Sequence, residues 1–289
     1  MRKHIDELLM MIVALIFGFS YSLQSMGAQY VAPFSFNVIK NVISFVALFV
    51  IFLFRRKQGS NLKKAIIFGF IIAIDLTIFS YLQQVVALEN TPGKTGFITT
   101  MYIVEVPVVS FLVFRKKINP QVLLSLVFAL AGLILLCDLS NFAIKTSDIL
   151  TLISSFCLCI QIMVLGRYCS DVDSIEFSMC TSFFTALFSL IGALVSKEVF
   201  DMNAYKQAII PLLYVGIVCA AVGVSLQAYA QKTLDETTAS LILSLESLFS
   251  VFAGYILLDV ALSKKELIGC LLMFIAVVMC VTAQSKKKN

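Results

Sequence analysis

The sequence is poor in charged residues, in glycine and proline, and in histidine. Only 13% of its 289 residues are charged and 60% are hydrophobic, whereas soluble domains average about 25% and 45–50%. The 13 glycines and 5 prolines are too few for a collagen-like or disordered chain. This composition excludes an ordinary soluble globule and predicts that a lipid bilayer surrounds most of the chain.

The absences also exclude several chemistries. His4 is the single histidine, which excludes a histidine-ligated membrane oxygenase or zinc protease. No phosphate-binding P-loop is present, and an intramembrane aspartyl protease would need two mid-span aspartates where only Asp75 qualifies. The 8 cysteines are scattered without a CxxC pair. We therefore expect no metal, no cofactor and no enzymatic activity.

Ten apolar segments are long enough to cross a bilayer, which takes about 20 helical residues. Five contain no Asp, Glu, Lys or Arg: 118–137, 149–166, 177–196, 207–231 and 267–285. The other five carry one such residue or none: 8–26, 35–54 (Lys40), 65–87 (Asp75), 94–114 (Glu105) and 240–258 (Glu246). The pattern predicts an all-α integral membrane fold of ten transmembrane helices. It leaves no room for a soluble catalytic domain, so the function must lie within the membrane.

The distribution of Lys and Arg predicts the orientation. With the N-terminus inside, fifteen basic residues face the cytoplasm: Arg2, Lys3, Arg55, Arg56, Lys57, Lys63, Lys64, Arg115, Lys116, Lys117, Arg167, Lys232 and Lys286–Lys288. Six lie outside: Lys94, Lys145, Lys197, Lys206, Lys264 and Lys265. We expect a multi-pass protein of the inner (plasma) membrane with both termini cytoplasmic. The net charge of +5 lies in short clusters rather than in one stripe, so nucleic acid is not an expected partner.

An internal repeat divides the chain into two halves. Residues 14–36 align with residues 154–176 at an offset of 140, and residues 87–136 align with residues 230–278 with a small gap. Each half, 1–142 and 143–289, then holds five helices, and an odd number makes the second copy enter the membrane from the opposite side. Inverted repeats of this kind are typical of secondary transporters, whose substrate site lies near the midplane between the repeats.

Four stretches resemble EamA-type members of the drug/metabolite transporter superfamily. The first repeat contributes ALIFGFSYSLQSMGAQYVAPFSFNVIKNVISF and ALENTPGKTGFITTMYIVEVPVVSFLVFRKKINPQVLLSLVFALAGLILL. The second contributes DILTLISSFCLCIQIMVLGRYCSDVDSIEF and AQKTLDETTASLILSLESLFSVFAGYILLDVALSKKELIGCLLM. The resemblance implies ten helices, cytoplasmic termini and a central cavity between two EamA-like repeats. It also implies a carrier of amino acids, nucleobase-like metabolites, amphiphilic cations or other small solutes.

The chain departs from the pattern of the family at several positions. Phe17 stands where tryptophan is frequent, Lys40 where arginine is frequent, and Ser247 where proline is frequent. Asp75 and Glu105 occupy positions that are usually apolar. These two carboxyl groups are therefore candidates for what distinguishes this member.

Asp75 and Glu105 lie near the middle of their spans. An ionisable group there costs about 2.5–3.5 kcal/mol on insertion scales and is by default a functional hypothesis. The two belong to consecutive helices, so their carboxyl groups could reach similar depth and share a proton, which suits proton coupling or a cationic substrate. The structural alternative is that each is protonated or hydrogen-bonded within the bundle.

Four further residues belong to the candidate site. Tyr102 lies one turn before Glu105 on the same helix face, where it could form an aromatic wall or simply pack. Pro107 removes a helical hydrogen bond and could free a carbonyl, or be an ordinary membrane proline. Lys40 could pair with a carboxylate, bind a substrate carboxylate or extend outward to the interface. Glu246 matches the glutamate of the family motif, which indicates a gating or architectural role.

Long polar side chains within the spans predict a polar cavity, because such groups need partners in hydrocarbon. Hydrogen bonding between helices is the alternative for each of them. They are Tyr21, Gln24, Gln83, Gln161, Gln227 and Tyr229.

The function predicted from sequence is secondary active or facilitative transport of small metabolites by alternating access. Three intramembrane carboxyl groups against Lys40 favour amino acids or other amine-bearing solutes. Protons and membrane lipid are further expected partners, and the oligomeric state stays open. The alternatives are a membrane-embedded enzyme or a lipid flippase acting on headgroups, and a purely structural or regulatory subunit.

Overall fold

The computed structural model describes residues 2–55, 61–115, 120–136, 145–168, 170–259 and 264–285. Across these ranges all regular structure is helical. The helices of the first half are α1 (Arg2–Ala28), α2 (Pro33–Phe54), α3 (Leu62–Val86), α4 (Pro92–Thr99), α5 (Tyr102–Phe114) and α6 (Pro120–Leu136). Those of the second half are α7 (Thr146–Tyr168), α8 (Ser174–Val195), α9 (Met202–Gln207), α10 (Ile209–Leu213), a π-helical segment (Tyr214–Gly223), α11 (Val224–Ala230), α12 (Glu236–Leu243), α13 (Leu245–Leu258) and α14 (Lys264–Ser285).

Eight helical segments are long and apolar enough to cross a membrane, which confirms a multi-pass, all-α architecture. They are His4–Ala28, Pro33–Phe54, Leu62–Val86, Pro92–Phe114, Thr146–Tyr168, Ser174–Val195, Ile209–Ala230 and Glu236–Leu258. Helices α6 and α14 contain the shorter apolar stretches Leu123–Gly132 and Leu267–Met279. Ten spans therefore stay a prediction. Of the basic residues that predict the orientation, Arg56, Lys57, Lys116, Lys117 and Lys286–Lys288 lie outside the described residues.

Local sequence signals account for many of the helix ends. Prolines occupy the first turn of α2 and α4, where the missing N–H has no helical partner in any case. The Asp173 carboxylate caps α8 by accepting from the backbone N–H groups of Ile175 and Glu176. Both α5 and α13 end at a residue in the left-handed region, Arg115 (φ 52°) and Asp259 (φ 53°). The two halves thus end corresponding helices in the same way.

The side chains are distributed as expected for a protein that lipid surrounds. Large apolar residues cover the outside, for example Phe54 (85% exposed) and Val195 (78% exposed). Many serine, threonine, asparagine and glutamine side chains are buried instead. Because lipid tails are as apolar as leucine, helices in a bilayer associate through close packing and interhelical hydrogen bonds. The buried polar groups therefore hold the bundle together and surround its interior.

Helix packing repeats between the two halves. Helix α1 packs on α12 and α13 of the other half, and α7 packs likewise on α4 and α5. Helix α3 packs on α8, and the π-helical segment packs on α2. Helix α3 also packs on α7, as the π-helical segment and α11 pack on α1, and two further contacts join corresponding helices directly, α2 with α8 and α6 with α14. Each of these contacts therefore has a counterpart that is formed by the corresponding helices of the opposite halves.

Candidate functional site

A cavity of about 90 Å³ lies inside the bundle among helices of both halves. Its walls come from α1, α2 and α3 of the first half, and from α7, α8, the π-helical segment, α11 and α13 of the second half. This volume is enough for several water molecules or a small solute. The lining residues lie near the middle of most of these helices, so the cavity is at mid-depth.

One ammonium group and one carboxyl group reach this cavity, those of Lys40 and Glu246. Lys40 on α2 is 6% exposed, and within the described chain its ammonium has no hydrogen-bond or ion-pair partner. Glu246 on α13 is 1% exposed. Its Oε1 accepts from the hydroxyl of Tyr21 at 3.2 Å and from that of Tyr102 at 3.0 Å. The cavity therefore has one basic and one acidic pole.

Tyr102 and Glu246 closely follow short breaks in the α-helical hydrogen-bond pattern of two spans, Pro92–Phe114 and Glu236–Leu258, which otherwise continue as single helices. The first span is interrupted at Thr100 and Met101, between α4 and α5, and the second at Ser244, between α12 and α13. Hydroxyl groups bond back to the backbone at both breaks: Thr100 donates to the carbonyl of Gly96 at 2.9 Å, and Ser244 to that of Leu241 at 2.7 Å. Such bonds compete with the helical ladder. The backbone of Met101 and Ser244 keeps right-handed helical dihedral angles, so each span tightens locally rather than ending.

The two broken spans pack closely on each other and on α1. A Cβ atom on Gly96 of α4 would lie 2.3 Å from the Ser250 hydroxyl oxygen on α13. A Cβ on Gly18 of α1 would lie 2.7 Å from the carbonyl oxygen of Glu246. Only glycine permits these approaches. They bring the Glu246 backbone and its two tyrosine partners together.

The π-helical segment packs directly against α1 and α2 and forms part of the cavity wall. Val215 and Cys219 of this segment line the cavity. A Cβ on Gly216 would lie 2.8 Å from the carbonyl oxygen of Lys40, and one on Gly223 would lie 2.8 Å from the ring of Phe17. π-Helical turns are rare and occur frequently at functional sites. This one positions the helix that carries Lys40.

A separate polar cluster surrounds α7. Glu105 Oε2 accepts from the hydroxyl of Ser155 at 3.1 Å, and Asp75 contacts the thiol of Cys157. Residues 155 and 157 are two positions apart on α7 and so point about 200° apart. No hydrogen bond joins Asp75 and Glu105 in the described part of the chain, and neither lines the cavity. The cavity is thus not acidic overall, contrary to the charge count of the spans.

Polar links join the two halves at both ends of the bundle. At the end where α1 begins, Asp6 accepts from Thr233 at 2.5 Å and Arg55 pairs with Asp173 at 3.0 Å. Lys64 pairs with Asp171 there and lowers the pKa of that carboxyl group. At the opposite end, Lys94 pairs with Asp148 at 2.6 Å, and Glu198 accepts from the Ser35 backbone N–H at 2.7 Å. All of these links connect one half to the other.

A sequence model described as the EamA-like transporter family matches residues 5–137 and, a second time, residues 145–282. The chain belongs to this family. It is similar to an "Uncharacterized transporter" of Archaeoglobus fulgidus, with 27% identity over 93% of this chain and 83% of that protein. It is also similar to the "Uncharacterized transporter YoaV" of Bacillus subtilis, with 22% identity over 96% of both proteins. The protein is therefore a membrane transporter of small molecules.

A solved structure gives the same fold for this EamA-like transporter. A crystal structure matches it with a TM-score of 0.74 at 13% identity, over 97% of this chain and 98% of the other. This likeness concerns the fold alone.

The structure brings part of the sequence-predicted site of this EamA-like transporter together. Tyr21, Gln24, Lys40, Gln161 and Glu246 all line the cavity. Tyr102 does not line it but is joined to it through its hydrogen bond to Glu246.

Four other predicted residues lie elsewhere. Gln83 is buried and donates to Thr99 at 2.9 Å and to Ser154 at 2.7 Å, so it joins helices. Gln227 donates to Gln231, the residue that directly follows α11. Pro107 is buried within α5, and the break in that span comes before it, at residues 100 and 101. Tyr229 is 41% exposed, which differs from the expectation that it faces the bundle interior.

Short polar side chains of the cavity were not singled out from the sequence. They are Ser20, Asn41, Ser80, Thr181, Ser182 and Thr185. Thr181 and Thr185 are four residues apart and so share one face of α8. This spacing of four residues is the feature of the sequence that indicates a polar face of α8. It is weak, because serine and threonine also occur in membrane helices as ordinary packing residues.

Proposed function

We propose that this protein is a secondary active or facilitative carrier of small metabolites that works by alternating access. Two inverted five-helix repeats, residues 1–142 and 143–289, would open the central cavity to one side of the membrane and then to the other. We place it in the inner (plasma) membrane with ten spans and both termini in the cytoplasm.

The buried cavity with Lys40 and Glu246 at mid-depth between the halves carries this proposal. A buried charge that does not serve transport would cost stability without return. The exchange symmetry of the helix contacts supports an inverted repeat. The links between halves at both ends support alternating access, because one set can break while the other holds.

Counterflow in sealed proteoliposomes tests the carrier function. Vesicles loaded with an unlabelled solute should take up the same solute in labelled form, with saturation and with its mass unchanged. The panel covers amino acids, amines, nucleosides and carboxylates. A changed mass would favour the enzyme alternative, movement of lipid headgroups would favour the flippase, and no counterflow across the panel would contradict the proposal.

We further propose that Asp75 or Glu105, two carboxyl groups near the middle of their spans and outside the cavity, couples transport to protons. Glu105→Gln and Asp75→Asn should each be tested, with Glu89→Gln, at an exposed position, as the control. Loss of uptake driven by a pH gradient, with solute exchange retained, would support coupling. Unchanged transport kinetics in both variants would exclude it.

The amine-bearing substrate expected from the sequence needs an acidic group in the cavity. Glu246 provides this group, instead of Asp75 and Glu105. Its Oε1 is held by two tyrosine hydroxyls, and Oε2 has no hydrogen-bond partner among the described residues. A substrate ammonium group can therefore bind at Oε2.

A further inference from the structure

We propose that the interface between α2 and α8 binds water along one half of its length, beside the cavity but outside its lining. The end of the bundle opposite the start of α1 is called the outer end, following the proposed orientation, and the other is called the inner end. The water lies between the cavity and the outer end. This site does not depend on the proposed carrier function, so either can fail without the other.

Two direct contacts fix how α2 lies against α8. The helices run antiparallel, because α2 begins at the outer end and α8 begins at the inner end. The hydroxyl oxygens of Ser44 and Ser182 are 2.8 Å apart. One residue further along α2 therefore meets one residue earlier on α8. The contact between Phe34 and Gly192 agrees with this register, since a Cβ on Gly192 would lie 2.4 Å from the Phe34 ring.

The same register sets Asn37 opposite Ser189 and Asn41 opposite Thr185. All four side chains are buried, with exposures of 0%, 0%, 5% and 2% respectively. Asn41 and Thr185 line the cavity. Asn37 and Ser189 lie one helical turn beyond them toward the outer end. Polar groups of two helices thus meet at successive turns, from the cavity outward.

Most of these polar groups have no protein partner. Both amide atoms of Asn37 and the hydroxyl oxygens of Thr185 and Ser189 form no hydrogen bond with the described residues. Lipid offers no partner either, so buried polar atoms within a bilayer are satisfied inside the protein. A buried water typically forms about three hydrogen bonds to such groups. The amide and the two hydroxyls supply them.

The chemistry of Asn37 favours water over a metal cation. Its side chain presents an NH₂ group, which donates, next to an oxygen, which accepts. A hard cation such as calcium or magnesium binds oxygen ligands and is repelled by a donor hydrogen. Water accepts from the NH₂ group and donates to the oxygen. The hydroxyls of Thr185 and Ser189 can act in either direction, so they fit the same molecules.

The inner half of the interface is mainly apolar. Leu48 and Phe177 are buried there in one cluster, with Phe45 and Phe52 packed against it. Ser178 lies opposite Leu48 in the same register, so its hydroxyl has no polar group across from it. Water needs two or more polar partners to be held in a protein interior. The interface is therefore hydrated on one side of the Ser44–Ser182 contact only.

The ring of Phe34 closes the site toward the outer end. It stacks on the ring of Tyr81 with 4.2 Å between the centroids, and its other contact is Gly192. Directly beyond it, the backbone N–H and the hydroxyl of Ser35 donate to Glu198 at 2.7 and 2.8 Å. One aromatic ring thus separates the water from the polar outer end. The site extends the hydrated interior from the cavity as far as Phe34.

The sign of a change in melting temperature tests the site on the purified, full-length protein. In a dry interface, Ser189→Ala and Asn37→Leu would replace unpaired polar groups with apolar ones and raise the melting temperature. With bound water, each variant removes a partner of the water and leaves the opposite helix unsatisfied. The melting temperature should then fall by about 2 °C or more. If it stays the same or rises in either variant, the proposal is overturned.

Ser178→Ala is the matched control, because it is the same change on the same helix in the apolar half of the interface. It should leave the melting temperature unchanged or raise it, and a fall equal to that of Ser189→Ala would contradict the proposal. The double variant of Asn37→Leu and Ser189→Ala should lose less than the sum of the singles, because both remove bonds to the same water. Strict additivity would exclude a shared water.

Sodium identifies a cation if one is present after all. The melting temperature is measured in sodium chloride and in choline chloride at equal concentration. Equal temperatures for the parent protein support water. A rise with sodium that Asn37→Leu abolishes would make the occupant a cation and overturn the assignment.

Thiol reactivity tests whether water reaches the site, because thiols react as thiolates. Ser189→Cys and Ser178→Cys are each placed in a chain whose own cysteines are replaced, and their rates of reaction with Ag⁺ are compared. Ser189→Cys should react about tenfold or more faster, and faster again when combined with Phe34→Ala. Equal rates at the two positions would overturn the proposal. If the chain without its cysteines does not fold, the melting temperatures above decide.

Discussion

Removing the hydroxyl groups that hold Glu246 tests the structure of the site most directly. The variants are Tyr21→Phe, Tyr102→Phe and the double variant. Both hydroxyls donate to the same oxygen, Oε1 of Glu246, at 3.2 and 3.0 Å. When one is removed the other remains, so the carboxyl group keeps a partner. The double variant leaves this 1% exposed group without a protein donor.

The expected free energies follow from this geometry. Interhelical hydrogen bonds in membrane proteins contribute about 0.6 kcal/mol on average and about 1.7 kcal/mol at most. Each single variant should therefore lower the free energy of unfolding by about 0.5–1 kcal/mol. A buried carboxyl group without a donor costs about 1–3 kcal/mol or more. The double variant should thus lose more than the sum of the singles, with a coupling energy of about 1 kcal/mol.

Reversible unfolding in mixed micelles of mild detergent and SDS would measure these differences. Tyr229→Phe is the matched control, because Tyr229 is 41% exposed and no hydrogen bond of its hydroxyl is found in the described chain. In a Glu246→Met background the acceptor is gone, and Tyr102→Phe should then be nearly neutral. If the losses are strictly additive, or if Tyr102→Phe costs as much in the Glu246→Met background, the shared acceptor is not the basis of the stabilisation.

Three further predictions concern the close packing of Gly96, the ion pair of Arg167 with Glu236, and the pH dependence of the ion pair of Lys64 with Asp171. Gly96→Ala should lower the melting temperature by several degrees, because its Cβ would lie 2.3 Å from the Ser250 hydroxyl oxygen, whereas Gly254→Ala meets nothing within 4 Å and should not. Glu236→Gln removes the charge that pairs with Arg167 at 3.2 Å. Thiol-labelling reagents added on the side of the membrane where this pair lies should then react faster with Cys219 in the cavity. An unchanged labelling rate would exclude a gating role for the Arg167–Glu236 pair. Lys64 lowers the pKa of Asp171, so the ion pair stabilises the folded protein at neutral pH. This stabilisation is lost as the pH falls through the lowered pKa of Asp171. The melting temperatures of the parent and Asp171→Asn should therefore converge only at a pH below the ordinary aspartate pKa of about 3.9, and a difference that stays constant on acidification would contradict this.

The helices could be predicted from the sequence because their cause is local. Runs of about 20 apolar residues can satisfy their backbone in a bilayer only as helices. Each of the ten predicted segments contains helix; for example, the segment 35–54 corresponds to Pro33–Phe54. The breaks at Thr100 and Ser244 could not be predicted in this way. Both residues are common within membrane helices, and their hydroxyl groups bond to carbonyls three or four residues earlier, as serine and threonine also do in unbroken helices.

The choice between Asp75 and the cavity residues shows what sequence cannot decide. Asp75 was singled out because a charge at mid-span is costly. The cost means that the carboxyl group must be shielded from lipid by neighbouring helices, but it does not indicate which helices these are. Leu76 lines the cavity, and Asp75, one residue and about 100° away, contacts Cys157 on α7. Helix α3 has neighbours on both sides, α8 and α7, so its hydrophobic pattern does not distinguish the two faces.

The two halves correspond in backbone but differ in the charges that they bring to the cavity. Tyr21 and Gln161 are matched by the offset of 140 residues, and both line it. The charged lining residues do not correspond in this way, since Lys40 lies on α2 and Glu246 on α13. A cavity made by two identical repeats would offer equal ends to a ligand, whereas this one has a basic pole from the first half and an acidic pole from the second. Its ligand should therefore have two unlike ends and a single orientation. Because Lys40 and Glu246 belong to different halves, the proposed alternating access predicts that relative motion of the halves changes the surroundings of both groups together.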